Sequence, residues 1–330
     1  MTDRIIPDPS PWEPACAERH MGIWLYEPSR FRSLAAAAIA GTLPHYPFRG
    51  AVASSNGAFW STPEPQSARP KTVTDGDDGP VLYRVTPEGV AVVRILGTMM
   101  KADSKFGGTS TIRTRRALRE ARADSSVKSI LLAIDSGGGS AAGTDALADE
   151  VAATKATKPV VAFIEDLGAS AAYWVASQAS SIVANRIALV GSIGTLLVID
   201  DASGAYEKAG IRMLVITSDG AEAFKGAGVE GTPITDEQVG EFRKIANGVQ
   251  ARFNADIGAG RKMDPDRVKA LATGQVWMAD EAHRLGLVDA VGTFDTASAV
   301  ALMMAEQSPQ PAPARPGRRM AAEARLRLKA

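Results

Sequence analysis

From Val90 onward the chain alternates short apolar runs with helix-like stretches, and this rhythm restricts its fold more than any other feature. Val90–Leu96 (VAVVRIL) is continuously apolar except for one arginine, the mark of a strand buried on both faces. A helical stretch over Thr111–Ala123 comes next, with its arginines on the wet face. Then come a strand over 129–134, a helix over 140–156, a strand over 160–164 and a helix over 170–179. Further short strands are expected at 182–184, 195–199 and 213–216, with a helix near 205–209 between the last two. Strand-helix alternation of this kind calls for an α/β fold with largely parallel strands and right-handed crossovers. A long helix over 236–257, started by Thr235-Asp236-Glu237-Gln238 after Pro233, opens a C-terminal helical region. Two more helices start at Asp264-Pro265 and Met278-Ala279-Asp280.

The flanks read differently. Residues 1–80 are irregular and proline-rich, with aromatic patches around Trp12, Trp24, Tyr46 and Trp60, and 63–80 (PEPQSARPKTVTDGDDGP) reads as a linker. The tail over 301–330 carries SPQPAPARPG and then Arg318-Arg319, the pattern of a disordered, solvated basic end. An acidic partner is the alternative reading of that end. The expected plan is an extension over 1–80, one core domain over 81–300 and the tail.

Charge and cysteine usage remove several classes. Lys plus Arg and Asp plus Glu number 37 each, so nothing global points to nucleic acid or an anionic membrane. Cys16 is the only cysteine, which excludes an internal disulfide and a cysteine-rich metal site and fits a reducing compartment. The most membrane-like run, LAAAAIAGTL over 34–43, is too short to cross a bilayer. Asp3, Asp8, Glu13 and Glu18 precede it, unlike the basic start of a signal peptide. A cytoplasmic protein without a membrane anchor is therefore expected.

The chemistry gathers in four segments. Gly168-Ala169-Ser170-Ala171-Ala172 places a serine among small residues at an expected helix start. Upstream lies Asp135-Ser136-Gly137-Gly138-Gly139, bare enough for backbone N–H groups to approach a reacting carbonyl, as an oxyanion hole requires. It lacks the Gly-Lys-Ser/Thr ending of a phosphate loop, and the dinucleotide fingerprint fits poorly. Downstream come Gly191-Ser192-Ile193-Gly194 and Lys225-Gly226-Ala227-Gly228. A nucleophilic serine needs a base, and His20, His45 and His283 all lie outside the motif-bearing stretch. Lysine remains, although an ordinary solvated lysine stays protonated at neutral pH and only burial makes it a base. Taken singly, Ser170 also reads as a helix N-cap, Ser192 as a turn residue and Lys225 as a surface cation.

Together the segments resemble the S49 peptidase family, signal peptide peptidase A and its phage relatives. The resemblance rests on Ser136-Gly137-Gly138-Gly139, Ala169-Ser170-Ala171-Ala172-Tyr173, Gly191-Ser192-Ile193-Gly194 and the lysine loop. The closing Glu281-Ala282-His283-Arg284-Leu285-Gly286-Leu287-Val288-Asp289 is similar to the family's C-terminal signature. The likeness spans roughly residues 88–300. Departures are Gly137 where the family has proline, Ala171 and Ala172 where it has glycines, and a longer lysine loop with Lys208 and Lys244 as competing candidates.

The resemblance implies a ClpP/crotonase-like fold and a Ser-Lys serine peptidase needing no metal or cofactor. Ser170 would be the nucleophile, Lys225 the general base and Ser192 the residue orienting the lysine. Gly138 and Ala171 N–H groups would form the oxyanion hole. It also implies a ring-forming homo-oligomer with the dyad shared between subunits, acting on polypeptides. The N-terminal Trp24-Leu25-Tyr26-Glu27-Pro28 is similar to phage and prophage members, so capsid, portal or scaffold proteins are the expected substrates. Alternatives are a soluble housekeeping peptidase, a crotonase-like acyl-CoA enzyme and a scaffold with a decayed site.

Overall fold

The structure, a computed structural model, describes residues 22–26 as backbone, and residues 71–76, 79–104 and 108–308 in full. The expectations about Trp12, Cys16, Tyr46, Trp60, the 34–43 run and the tail beyond 308 lie outside the described residues.

The central sheet forms where the apolar runs predicted it. Strands β4 (Val90–Leu96), β7 (Ser129–Ser136) and β9 (Val160–Ala169) run parallel, with Val92 opposite Leu131 and Leu131 opposite Val161. β2 (Lys71–Thr74) and β3 (Val81–Val85) add antiparallel strands at the β4 edge, so the stretch read as a linker contains a strand. Beyond β9 the sheet forks. β10 (Ser181–Ala184) pairs with the first half of β9, and β11 (Leu189–Gly191) with Leu167–Ala169 at its end. β13 (Val276–Met278) closes the β11 edge, and β14 (Ala290–Val291) the β10 edge.

Helices cover both faces, because β4, β7 and β9 are apolar on both. On one face α1 (Thr111–Ala123), α2 (Thr144–Lys155), α3 (Ala171–Ser177) and α5 (Asp236–Arg261) bury a core that includes Ile95, Leu118, Ile130, Leu147 and Trp174. On the other, α8 (Phe294–Gln307) lays Ala297 and Ala301 against Val92, Leu131 and Val161, with Phe294 edge-on to Phe163. α6 (Pro265–Leu271) and α7 (Ala279–Leu285) complete the C-terminal helical region. The result is the mixed α/β, largely parallel architecture expected of the ClpP/crotonase-like fold.

A second, smaller sheet has the order β12-β1-β8-β5-β6: β12 (Leu196–Val198), β1 (Gly22–Tyr26), β8 (Gly138–Ser140), β5 (Met99–Met100) and β6 (Thr109–Ser110). Two expectations change here. The glycine motif does not lead straight into a helix from Ser140; it forms β8, and α2 starts only at Thr144. A Cβ on Gly139 would sit 1.9 Å from the Met99 carbonyl oxygen, so only glycine lets β8 lie against β5. The strand expected over 213–216 is absent, since no described strand lies beside it to pair with. Residues 211–218 have no regular structure and come after α4 (Ser203–Lys208).

Candidate active site

Ser170 stands where β9 ends and α3 begins, held by a bulge in β9. Ile134 pairs with Ile164 and Ser136 with Gly168, so Glu165, Asp166 and Leu167 together face Asp135 alone. Extra residues on one strand bend it and re-aim the residues beyond the bulge. Ser170, three residues past the bulge, adopts φ 55°, ψ −120°, a conformation non-glycine residues rarely take. Strain of this kind costs about 1–3 kcal/mol and persists only where neighbours enforce it. Here the Ser170 N–H donates to the Gly191 carbonyl at 2.7 Å, and its carbonyl accepts from Trp174 N–H at 2.9 Å. The side chain does not cap the helix. Ser170 is fully buried, and its Oγ has no hydrogen-bond partner among the described residues. A simple N-cap would have used that oxygen on the first helical turn.

The small residues that distinguish this turn serve the packing behind it. Ala171, Ala172 and Ala176 are all buried in the core, as is the whole of α3. Tyr173 donates its hydroxyl to the Leu287 carbonyl at 2.9 Å, and burial pushes its phenol well above the ordinary range. Trp174 stacks on Phe253 of α5 at 4.7 Å between centroids and donates Nε1–H to Asp256 at 2.9 Å. Gln178 donates to the Asp256 carbonyl at 2.8 Å. These anchors were not singled out in the sequence, although Phe253 and Ile257 lie one helical turn apart and mark the buried face of α5.

The C-terminal signature acts as a second brace. Asp289 accepts the Ile182 N–H at 2.7 Å and a two-pronged contact from Arg261, at 2.9 and 2.6 Å. Burial raises the Asp289 pKa, but the Arg261 hydrogen bond and charge outweigh that and hold it below the ordinary value. The only described histidine, His283, meets the Val288 carbonyl at 3.2 Å and belongs to this brace.

The glycine turn is pinned as tightly. Ser136 Oγ donates to the Gly97 carbonyl at 2.5 Å and accepts the Gly138 N–H at 3.1 Å, with Gly138 at φ 97°. To receive an oxyanion, the Gly138 N–H must share or release Ser136. Ala171 opens α3, so its N–H has no acceptor within the helix. Ser192 is buried, at φ 51°, with its N–H donating to the Gln275 carbonyl at 2.5 Å. It comes directly after Gly191, whose φ of 118° and close approach to the Trp277 ring exclude a side chain.

Lys225 lies apart from this corner. It sits in a run of turns, exposed, its backbone N–H bonded to the Ala221 carbonyl and its amine without a partner among the described residues. Lys208 is also exposed, and Lys244 pairs with Glu241 at 2.9 Å. Within one chain the structure thus brings Ser170, Ala171, Gly138 and Ser192 to neighbouring strand ends, and it joins none of the described lysines to Ser170. The described residues hold no cluster of metal-ligating side chains, and no described helix is long and apolar enough to cross a membrane.

Comparison with known proteins places the sequence among peptidases. The model of Peptidase family S49 matches residues 152–308, a stretch containing Ser170, Ser192 and Lys225. The chain is 31% identical over 229 residues to "Serine protease SPPA, chloroplastic" of Arabidopsis thaliana, covering 69% of this chain and 33% of that protein. It is 31% identical over 214 residues to "Protease 4" of Haemophilus influenzae, 64% of this chain and 34% of the other. It is 34% identical over 148 residues to "Capsid assembly protease C" of Escherichia phage lambda, 42% of this chain and 33% of the other. The chain spans about a third of the length of these curated relatives. With the strained serine, the glycine turn and the C-terminal brace in one framework and the matched stretch running through it, the chain belongs to peptidase family S49.

Proposed function

We propose that the protein is a serine endopeptidase with a Ser170–Lys225 dyad completed between subunits. The observation that carries this reading is the buried, strained Ser170, whose Oγ has no partner among the described residues of its own chain. Burying an unpartnered hydroxyl is unfavourable, and here it is combined with backbone strain, the profile of a nucleophile kept ready for a group that arrives from outside. Ser170 Oγ attacks the peptide carbonyl, and the neutral Lys225 amine takes its proton and passes it to the leaving amine. Water then hydrolyses the acyl-enzyme by the reverse proton path. Gly138 and Ala171 N–H groups hold the oxyanion, and Ser192 orients the lysine amine. No metal or cofactor takes part.

The arm that carries Lys225 supports the shared site. Between β12 and α5 it exposes Ile211, Met213, Leu214, Val215, Ile216 and Phe224, with Leu214 at 74% and Ile216 at 85%. A single chain gains nothing from an apolar patch of this kind, whereas a neighbouring subunit would bury it and bring the lysine into an apolar setting. A ring of identical subunits gives every serine a lysine from its neighbour.

For the substrate, we favour capsid, portal or scaffold polypeptides processed within the host cytoplasm or a prohead. Support comes from two relatives, "Capsid assembly protease C" of phage lambda and "Head-tail preconnector protein GP5" of phage P21, the latter 35% identical over 141 residues. A housekeeping peptidase is the second reading, favoured by the longer matches to the SPPA and Protease 4 relatives. Membership of the peptidase family leaves the acyl-CoA reading without support.

The test is hydrolysis of an unfolded protein by the wild type, Ser170→Ala and Lys225→Ala. Both variants should fall to background while the oligomer, monitored by sedimentation, stays intact. Equal cleavage by all three would leave the dyad untenable, and no cleavage by the assembled wild type would return the chain to a scaffold role. Loss in Ser170→Ala alone would move the base to Lys208 or Lys244.

A further inference from the structure

The sheet that carries the glycine motif is completed by a strand from the N-terminal extension. β1 runs antiparallel to β8, with Trp24 opposite Ser140, Leu25 opposite Gly139 and Tyr26 opposite Gly138. On its other side it runs antiparallel to β12, with Gly22 opposite Val198, Ile23 opposite Leu197 and Trp24 opposite Leu196. Among the described strands, β1 alone joins β12 to β8. Without it, two sheet edges would face each other across the width of one strand, each with unpaired N–H and C=O groups.

The direction of β1 matters as much as its place. Toward its C-terminus, its partners run from Ser140 back to Gly138 on one side. On the other they run from Val198 back to Leu196, and so toward Gly194 and Ser192. Both flanks converge on the corner where Ser170 N–H meets the Gly191 carbonyl. A peptide whose carbonyl is to reach Gly138 and Ser170 has to enter the same way, extended and held by main-chain hydrogen bonds on both sides.

Resting on the peptidase reading above, we propose that residues 22–26 are a resident competitor for the substrate's own slot. They occupy the groove between β8 and β12 that takes the segment N-terminal to the scissile bond, and they must leave before a polypeptide can enter. The strand belongs to the same chain as its groove, so it competes intramolecularly and does not depend on protein concentration. Short peptides bind only weakly against that competition and need a large excess to displace the strand, whereas long chains that make additional contacts displace it readily. Because pairing of this kind reads the main chain, the groove accepts extended segments of many sequences.

Two measurements on the full-length protein test this without requiring hydrolysis. In the first, a fluorescein-labelled peptide with the sequence of residues 20–28 is titrated by anisotropy into the wild type and Leu25→Pro. Proline removes the Leu25 N–H and disfavours the strand. Binding to Leu25→Pro should be tighter by about ten-fold or more, the release expected when a tethered competitor is removed. In the second, the wild type undergoes hydrogen exchange with the same peptide, unlabelled, in excess. Amides of 22–26 should lose protection while those of 138–140 and 196–198 keep it. Equal affinity for both proteins, or undiminished protection of 22–26 at saturating peptide, overturns the proposal. If Leu25→Pro does not fold, the exchange measurement on the wild type decides alone. Failure of the Ser170–Lys225 reading would show as cleavage persisting in Ser170→Ala or Lys225→Ala and would leave both of these readouts unmoved, so the two ideas fail separately.

Discussion

The corner around Ser170 and the arm around Lys225 belong to one chain, yet they are built on opposite terms. The corner is over-determined: Ser170, Ser192 and Gly138 all have positive φ, each bound through its N–H, and α3 is buried from end to end. The arm is under-determined. α4 buries none of its residues, 211–218 form no regular structure, and several large apolar side chains face outward. A nucleophile has to be held in place before substrate arrives, because its position cannot relax during the reaction. A base supplied by a neighbour needs an element able to reach out, and its final geometry is set by docking.

The strongest way to break this contrast is to mix subunits. Ser170→Ala and Lys225→Ala should each be inactive alone. Co-assembled in equal amounts, they should recover about a quarter of wild-type activity, the fraction of sites pairing an intact serine with a neighbour's intact lysine in a symmetric ring. If the dyad lies within one chain, the mixture stays at background. Hydrolysis before and after denaturing and refolding the two together decides it.

Next in size is the loss of the support behind the nucleophile. Trp174→Ala removes a stacked, buried ring and the bond to Asp256, at a cost of roughly 3–5 kcal/mol. For a domain of this size that lowers Tm by roughly 10 °C. Trp174→Phe keeps the stacking on Phe253 and should recover most of the loss, and thermal unfolding of both variants tests this. A drop within a degree or two in Trp174→Ala would mean that α3 is held from its other side, through Tyr173 and the C-terminal brace.

The sequence showed these two regions unequally, for a physical reason. The parallel strands were readable because β4, β7 and β9 are buried on both faces and so are apolar throughout. The serine and glycine motifs were readable because close backbone approach admits only small residues there, as Gly139 against Met99 illustrates. The bulge that aims Ser170 was not, since Glu165 and Asp166 look like any polar interruption of a strand. Nor was β8: a triple glycine before a helical stretch reads as a turn until the partner strands on both sides are known. The expected strand over 213–216 failed for the complementary reason. Leu214, Val215 and Ile216 have strand-like side chains, but a strand is made by its neighbour, and the described residues supply none there.

The brace at Asp289 yields a smaller and pH-dependent effect. Its pKa in the folded protein lies below the ordinary carboxylate value, so its contribution is full above about pH 4. As pH falls through the depressed value, Asp289 takes up a proton, the contact with Arg261 weakens, and stability is lost. Asp289→Asn should therefore lower the unfolding free energy at neutral pH by about 1–3 kcal/mol, since a buried guanidinium loses its partner. Its deficit relative to the wild type, measured by denaturant unfolding, should shrink toward pH 3. A deficit that does not change with pH would assign Asp289 a purely structural role through the Ile182 N–H.

The smallest effect is expected where the arm is most exposed. Ile216→Ser alters a side chain that touches almost nothing in its own chain. At concentrations where the protein sediments as a monomer, its unfolding free energy should change by less than about 0.5 kcal/mol. The same substitution should shift the monomer–oligomer equilibrium toward the monomer and lower activity in proportion, with kcat per assembled site unchanged. Sedimentation velocity and hydrolysis over one dilution series measure both. If the monomer itself were destabilised by more than about 1 kcal/mol, Ile216 would have to pack against its own chain and the arm would not be an under-determined element. If stability, assembly and activity were all unmoved, the apolar face would have no partner subunit. The lysine would then have to approach Ser170 by refolding of the arm onto its own corner.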